Sequence, residues 1–167
     1  FRDVNFCSFP LQYVQRIFRT SGTTTGRRGE HKLFDTEIYD LGSVIQMQRI
    51  IGNVPSIGVS LVSDAEDSSL GHMARFFAPN MKQGFHASGI QHDLVWEFLD
   101  NAEEPIYIPA TGFAMASLLS KRETPCELPT GSVIMVTGGF KGKRVQISEV
   151  YLQVNLYRIL TNTLIIA

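Results

Sequence analysis

Residues 106–139 read IYIPATGFAMASLLSKRETPCELPTGSVIMVTGG, and the fold class turns on them. Ile106-Tyr107-Ile108 is a short β-branched and aromatic run of the kind that forms a strand. Gly112 to Leu119 then opens a helix of small and apolar residues. Val133-Ile134-Met135-Val136 is apolar without alternation, the mark of a strand buried on both faces, and it ends at Gly138-Gly139. A strand, a helix and a second strand in this order predict a βαβ unit.

The same alternation extends both ways. Downstream, Ser148 is placed to cap a helix in which Leu152, Leu156 and Ile159 recur at spacings of four and three, and Leu164 to Ala167 starts another strand. Upstream, a helix is predicted from His92 to about Ala102, with Leu94, Val95, Phe98 and Leu99 facing inward. Asp67 or Ser68 can cap a short helix carrying Leu70, Met73 and Phe77. Ile57, Val59 and Leu61 alternate with small residues as a strand does. A longer helix is predicted from Thr36 to about Ile51, with Asp35 as its N-cap and Gly52 at its stop. Its residues Ile38, Leu41, Ile45 and Met47 keep to one side and are expected to face the core, while Gly42 weakens its middle by about 1 kcal/mol. Ile17 to Thr20 reads as the end of a strand. The expected architecture is α/β: a mostly parallel sheet with flanking helices, in one domain over residues 1–167. Ligands of such sheets lie outside the carboxyl ends of the strands.

Composition agrees. The 167 residues are 44% hydrophobic and 19% charged, which excludes a disordered chain. Fifteen Lys and Arg against sixteen Asp and Glu leave a net charge of -1, so no sequence-wide basic field exists to hold nucleic acid or anionic lipid. The longest apolar runs are four residues, as at Phe113 to Ala116, whereas a membrane-spanning helix needs about 20. Cys7 and Cys126 cannot make a disulfide scaffold, and with no signal peptide in view the expected compartment is the cytoplasm. The first residue is Phe1 and the last run, Leu164 to Ala167, is apolar, so a piece of a longer protein is expected.

Two glycine-rich loops stand out. Thr20-Ser21-Gly22-Thr23-Thr24-Thr25-Gly26 is seven consecutive hydroxyl or glycine residues after a strand, followed by Arg27-Arg28-Gly29. Small residues let backbone N–H groups approach phosphate oxygens, hydroxyls add donors and arginines add charge. The same composition also suits an ordinary polar loop. It is not a Walker A loop, which needs Lys-Ser/Thr after its second glycine. At Thr137-Gly138-Gly139-Phe140-Lys141-Gly142-Lys143 a buried strand empties into a double glycine, where a flat ligand can lie against bare backbone or the chain can simply turn.

Together the two loops resemble a known pair. Thr20-Ser21-Gly22-Thr23-Thr24 is similar to the Ser/Thr/Gly-rich phosphate loop of the adenylate-forming acyl ligases, and Gly138-Gly139 sits where that superfamily has a glycine pair beside the adenine. More narrowly, FRTSGTTTGRRGEH (18–31), DSSLGHM (67–73), TGFAM (111–115) and TGGFKGK (137–143) resemble the acyl-protein synthetase family, which includes the fatty-acid-activating component of bacterial bioluminescence. The resemblance covers residues 16–160 or so and implies part of the large N-terminal domain of an adenylate-forming enzyme. It implies Mg-ATP as cosubstrate, a carboxylic acid substrate (a fatty acid first), and transfer of the acyl group to a thiol. The acceptor implied is a protein cysteine, with acyl-transfer proteins as partners. An acyl- or aryl-coenzyme A ligase and a non-catalytic remnant of the fold are the alternatives. Thr20, Ser21, Gly22, Thr23, Thr24, Thr25 and Gly26 would grip the phosphates, Arg27 or Arg28 would supply charge, and Gly138, Gly139 and Phe140 would border the adenine. No residue is assigned as catalytic.

The chain departs from that pattern. The superfamily loop continues Gly-x-Pro-Lys-Gly, whereas here Thr25 is an extra hydroxyl before Gly26-Arg27-Arg28-Gly29. The Tyr-Gly-x-Thr-Glu motif, whose glutamate helps hold Mg, does not occur in the sequence; nor do the later ribose-binding aspartate and the mobile C-terminal domain. The nucleotide-binding domain is therefore expected to be incomplete over residues 1–167 and inactive alone.

Other residues carry weaker signals. Phe85-His86 is similar to the aromatic-His pair lining acyl pockets in many adenylate-forming enzymes. His31 would shape the phosphate loop, and His72 and His92 are expected to be solvated on helices. Asp64, Glu66 and Asp67 read as helix caps rather than metal ligands. Cys126, in Thr124-Pro125-Cys126-Glu127, is expected in a surface turn. Gly112 to Met115 suits either an acyl-pocket wall or core packing.

Overall fold

The computed structural model describes residues 7–20, 28–86, 89–137 and 149–166. β7 (Tyr107–Thr111), α4 (Gly112–Leu119) and β8 (Cys126–Thr137) form the predicted strand–helix–strand unit. The two strands run parallel, Tyr107 opposite Val133 and Thr111 opposite Thr137. Thr111 caps the helix, its Oγ1 accepting the Ala114 N–H at 3.2 Å. α5 (Glu149–Ile159) then leads to β9 (Leu160–Ile166), parallel to β8. Upstream, β3 (Val59–Ser60), α2 (Ser69–Phe77) and β4 (Lys82–Gln83) make a third parallel unit.

Two parallel bridges, Gly58 to Tyr107 and Leu61 to Ala110, join β3 to β7, so the parallel strands line up β4-β3-β7-β8-β9. From β3 the chain steps outward through α2 to β4; it then returns to the other side of β3 and steps the opposite way through β7, β8 and β9. The direction of winding reverses between β3 and β7. Two antiparallel hairpins flank these strands: β1 (Arg16–Arg19) with β2 (Glu30–Leu33), and β5 (Phe85–His86) with β6 (Gly89–Ile90). The fold is mixed α/β, with parallel pairing through its centre and antiparallel pairing in the hairpins.

Alternate residues of the strands serve two cores. Ile108, Ile134 and Val136 face a cluster with Val95 and Leu99 of α3 (His92–Asp100), Met115 and Leu118 of α4, and Leu152 and Leu156 of α5. Tyr107, Val133 and Met135 face the other side, against Met47 of α1 (Glu37–Ile51) and Leu70, Met73 and Phe77 of α2. Helices thus cover both faces.

Three sequence expectations are corrected. The apolar stripe of α1 does not face the core: Ile38, Leu41 and Ile45 are 86%, 62% and 40% exposed, and only Met47 of the expected four is buried. The inward face carries Tyr39, whose hydroxyl donates to the Ser69 carbonyl at 3.1 Å, and Asp40, which meets His72 at 2.7 Å. Besides Met47 and Ile51, which pack into the core, polar bonds to α2 hold this face of the helix inward. On α3, Leu94 is exposed rather than inward, while Val95 and Leu99 are buried as expected and Trp96 is buried with them. β8 begins at Cys126 rather than Val133, because Cys126 and Leu128 point inward before the register shifts between Glu127 and Ser132. Cys126 therefore lies in a buried strand, not a surface turn.

Other boundaries agree closely. α1 starts at Glu37 with Thr36, not Asp35, at its N-cap position, although Asp35 Oδ1 accepts the Glu37 N–H at 3.0 Å; Gly52 ends the helix at φ 73°, as expected. Ser68, rather than Asp67, caps α2 by accepting the Gly71 N–H at 3.0 Å. Ser148 lies outside the described residues. Among the described residues, no helix is long and apolar enough to cross a membrane.

Candidate functional site

The β1–β2 hairpin flanks the first glycine-rich loop. Arg16 pairs with Leu33 and Arg19 with Glu30, so residues 20–29 connect the two strands. The mouth of that loop is closed by three bonds. Thr20 N–H donates to the Gly29 carbonyl at 2.9 Å, Gly29 N–H donates to Thr20 Oγ1 at 2.8 Å, and Arg28 Nε donates to the Thr20 carbonyl at 2.9 Å. Ser21 to Arg27, the rest of the candidate phosphate loop, lie outside the described residues, as do Gly138, Gly139 and Phe140.

The mouth is pinned to the segment that follows β3. Arg19 N–H donates to the Asp67 carbonyl at 2.8 Å. The Asp67 carboxylate meets Arg28 at 2.9 Å and Arg19 at 3.6 Å. Arg19 also donates to Glu30 at 3.1 Å, and Lys32 lies 3.5 Å from the same carboxylate. Both cations hold the exposed Glu30 carboxyl below its ordinary range, the Arg19 hydrogen bond most of all. Arg28 is thus engaged in closing and pinning the loop. Asp67 is the member that sequence reading missed, since nothing local links it to a hairpin so far upstream.

The placement of this mouth matters more than its composition. Residues 62–67 leave the carboxyl end of β3, at the reversal of winding between β3 and β7, where open α/β sheets hold their ligands. Thr137, the last described residue before Gly138, pairs with Thr111 at the carboxyl ends of β7 and β8. The first loop's mouth is thus pinned, through Asp67, to the segment leaving the carboxyl end of β3, and the second loop follows the carboxyl end of β8. Phe85 and His86, directly after β4, share that end.

Anionic phosphate suits the arginines and the small, hydroxyl-bearing residues that the sequence carries over residues 20–29. Among the described residues, no group of three or more His, Cys, Asp and Glu could hold a metal ion. Such a set is not required for Mg2+ that arrives on a nucleotide, since phosphate oxygens and water supply most of its ligands.

The remaining candidates fall elsewhere. His31 is exposed on β2 opposite Phe18. His72 and His92 are not simply solvated: His72 Nε2 meets Asp40, and His92 Nε2 lies 3.1 Å from Ser117 Oγ. The buried Cys126 thiol is pushed up to about 11, by burial first and then by the Asp100 carboxylate. Gly112, Ala114 and Met115 are core residues beneath the carboxyl edge. A cavity of about 680 Å3 opens at the other end of the strands, lined by Ile57, Lys82, Phe98, Glu103 and Ile106 among others.

No protein-family model matches the chain, and neither a curated protein nor a solved structure does.

Proposed function

We propose that this chain is the nucleotide-binding core of an ATP-dependent acid–thiol ligase of the acyl-protein synthetase kind, acting on a carboxylic acid, with a fatty acid as the first expectation. The observation that supports the reading is that Asp67 pins the mouth of the first loop beside the carboxyl end of β3, while the second loop follows the carboxyl end of β8. The motifs themselves, in FRTSGTTTGRRGEH and TGGFKGK, supply the chemistry.

In this reading the substrate carboxylate attacks the α-phosphorus of ATP, pyrophosphate leaves, and a thiolate then takes the acyl group from the adenylate with release of AMP. Ser21 to Gly26 hold the phosphates through backbone N–H groups and hydroxyls, with Arg27 adding charge, while Thr20 closes the loop mouth on Gly29. Arg28, engaged with Asp67 and the Thr20 carbonyl, shapes the loop instead. Gly138 to Phe140 border the adenine. Mg2+ bound on the triphosphate would neutralise its charge. The acceptor thiol belongs to a protein cysteine or to coenzyme A. It is not Cys126, which is buried and poorly ionised.

The test is carboxylate-dependent ATP–pyrophosphate exchange on the full-length gene product, with a panel of fatty and aromatic acids. Exchange with one class establishes adenylation and names the substrate together. Absence of exchange with every acid, from folded protein, refutes the reading in favour of a non-catalytic fold. Thr23→Ala with Thr24→Ala should weaken exchange strongly, since each lost charge-assisted bond is worth about 1.5–3 kcal/mol. Unchanged exchange in that variant would remove the phosphate-loop assignment.

A further inference from the structure

Asp67 crosses between two parts of the fold that backbone pairing leaves nearly independent. The β1–β2 hairpin forms no ladder with the parallel strands. Its own ion pair, Arg19 with Glu30, joins residues already opposite each other in the hairpin. Asp67 instead meets Arg28 on one side of the loop mouth and Arg19 on the other, and its carbonyl takes the Arg19 N–H.

The segment bearing Asp67 is itself held firmly. Ser68 N–H donates to the Ala65 carbonyl at 3.0 Å, and Ser68 Oγ caps α2. Gly71 packs so closely that a Cβ there would stand 2.2 Å from the Ser63 carbonyl oxygen. Arg75 donates to the Asp64 carbonyl at 3.4 Å. An aspartate fixed in this way can hold an exposed arginine in place.

We infer that Asp67 is a positioning residue for nucleotide binding: through Arg28 it fixes the mouth of the phosphate loop at the reversal of winding between β3 and β7. This rests on the phosphate-loop reading proposed above. It makes Arg28 a strut between Asp67 and the Thr20 carbonyl, not a phosphate ligand. The opposite arrangement, in which Asp67 restrains an arginine meant for phosphate, predicts the opposite sign.

The experiment measures ATP affinity of the full-length gene product by calorimetry, with thermal unfolding and amide exchange at Gly29 recorded on the same samples. Asp67→Asn should weaken ATP binding about fivefold, the upper range for a largely exposed ion pair, with little change in the unfolding temperature. Exchange at Gly29 should quicken without nucleotide present. Arg28→Gln should weaken binding similarly, and the double variant should be no worse than either single, because both remove the same strut. Asp67→Glu, which keeps the charge, should bind within about twofold of wild type. Tighter binding by Asp67→Asn, unchanged binding, or additive losses would each overturn the inference while leaving the phosphate-loop reading intact. Failure of the wild-type protein to bind ATP would instead overturn that reading, and the positioning role with it.

Discussion

Three glycines within one short stretch give the same substitution three different outcomes. At Gly58, where β3 crosses β7, an added Cβ would lie 1.9 Å from the Tyr107 carbonyl oxygen and 2.8 Å from its carbon. A carbon–oxygen contact wants about 3.4 Å, so the strand must retreat by roughly 1.5 Å. Such a shift breaks the Tyr107 N–H bond to the Ile57 carbonyl (2.9 Å) and strains the Leu61 N–H bond to the Pro109 carbonyl (2.8 Å). Val59 and Leu61, both wholly buried, move with it. Two buried backbone bonds at about 1 kcal/mol each, with about 2 kcal/mol of disturbed packing, put Gly58→Ala near 4 kcal/mol destabilising. Gly52, at φ 73°, has open space around it, so Gly52→Ala meets only backbone strain, about 2 kcal/mol. Gly42 lies inside α1 with nothing within 4 Å, and Gly42→Ala should stabilise by about 0.5–1 kcal/mol. Urea unfolding followed by far-ultraviolet circular dichroism reads all three, provided the denaturant slope stays constant. A loss below about 1 kcal/mol at Gly58 would refute the crossing geometry. Inversion of the order at Gly42 and Gly52 would refute the boundaries of α1.

Two further outcomes follow from titrating groups. With its thiol pushed up to about 11 and its side chain buried, Cys126 should resist iodoacetamide at neutral pH in folded protein, while the half-buried Cys7 labels first; mass spectrometry of the modified peptides checks this. The Glu30 carboxyl is held below its ordinary range, so its contribution to the hairpin is present above its unfolded value, about 4.3, and is lost as pH falls through the lowered folded value. A carboxyl titration by nuclear magnetic resonance should show that depression, and Arg19→Gln should largely remove it; an unmoved titration in Arg19→Gln would break the assignment.

The regular elements were legible wherever one residue period dominated. Val133 to Val136, Gly112 to Leu119 and the Leu152-Leu156-Ile159 spacing led directly to β8, α4 and α5. The sequence misled at α1, since an apolar stripe predicts burial only when a partner lies on that side. Here the face that packs is selected by Asp40 with His72 and by Tyr39 with Ser69, and no local pattern announces either pair. Cys126 was hidden for a different reason. Pro125 and Glu127 beside it suggest a turn, whereas the alternation of buried Cys126 and Leu128 around exposed Glu127 is that of a strand. The reversal of winding at β3 could not be read at all; its one local trace is Gly58, small where two backbones meet.

The candidate site was legible in composition and illegible in attachment, and the difference lies in how the hairpin is held. Its inner strand is docked by Phe18, 3% exposed, with ring centroids 5.5 Å from Tyr39 and 5.3 Å from His72. Burying such a ring contributes about 1.5–3 kcal/mol and does not depend on charge. The mouth is held by guanidinium–carboxylate bonds in which Arg19 and Arg28 are each more than 40% exposed, a setting in which ion pairs add little to stability. Docking of the hairpin therefore rests on Phe18, while the direction of the loop mouth rests on Asp67. A chain built this way can alter the aim of its loop without loss of its fold, which is why affinity and unfolding temperature should separate at Asp67 and move together at Phe18.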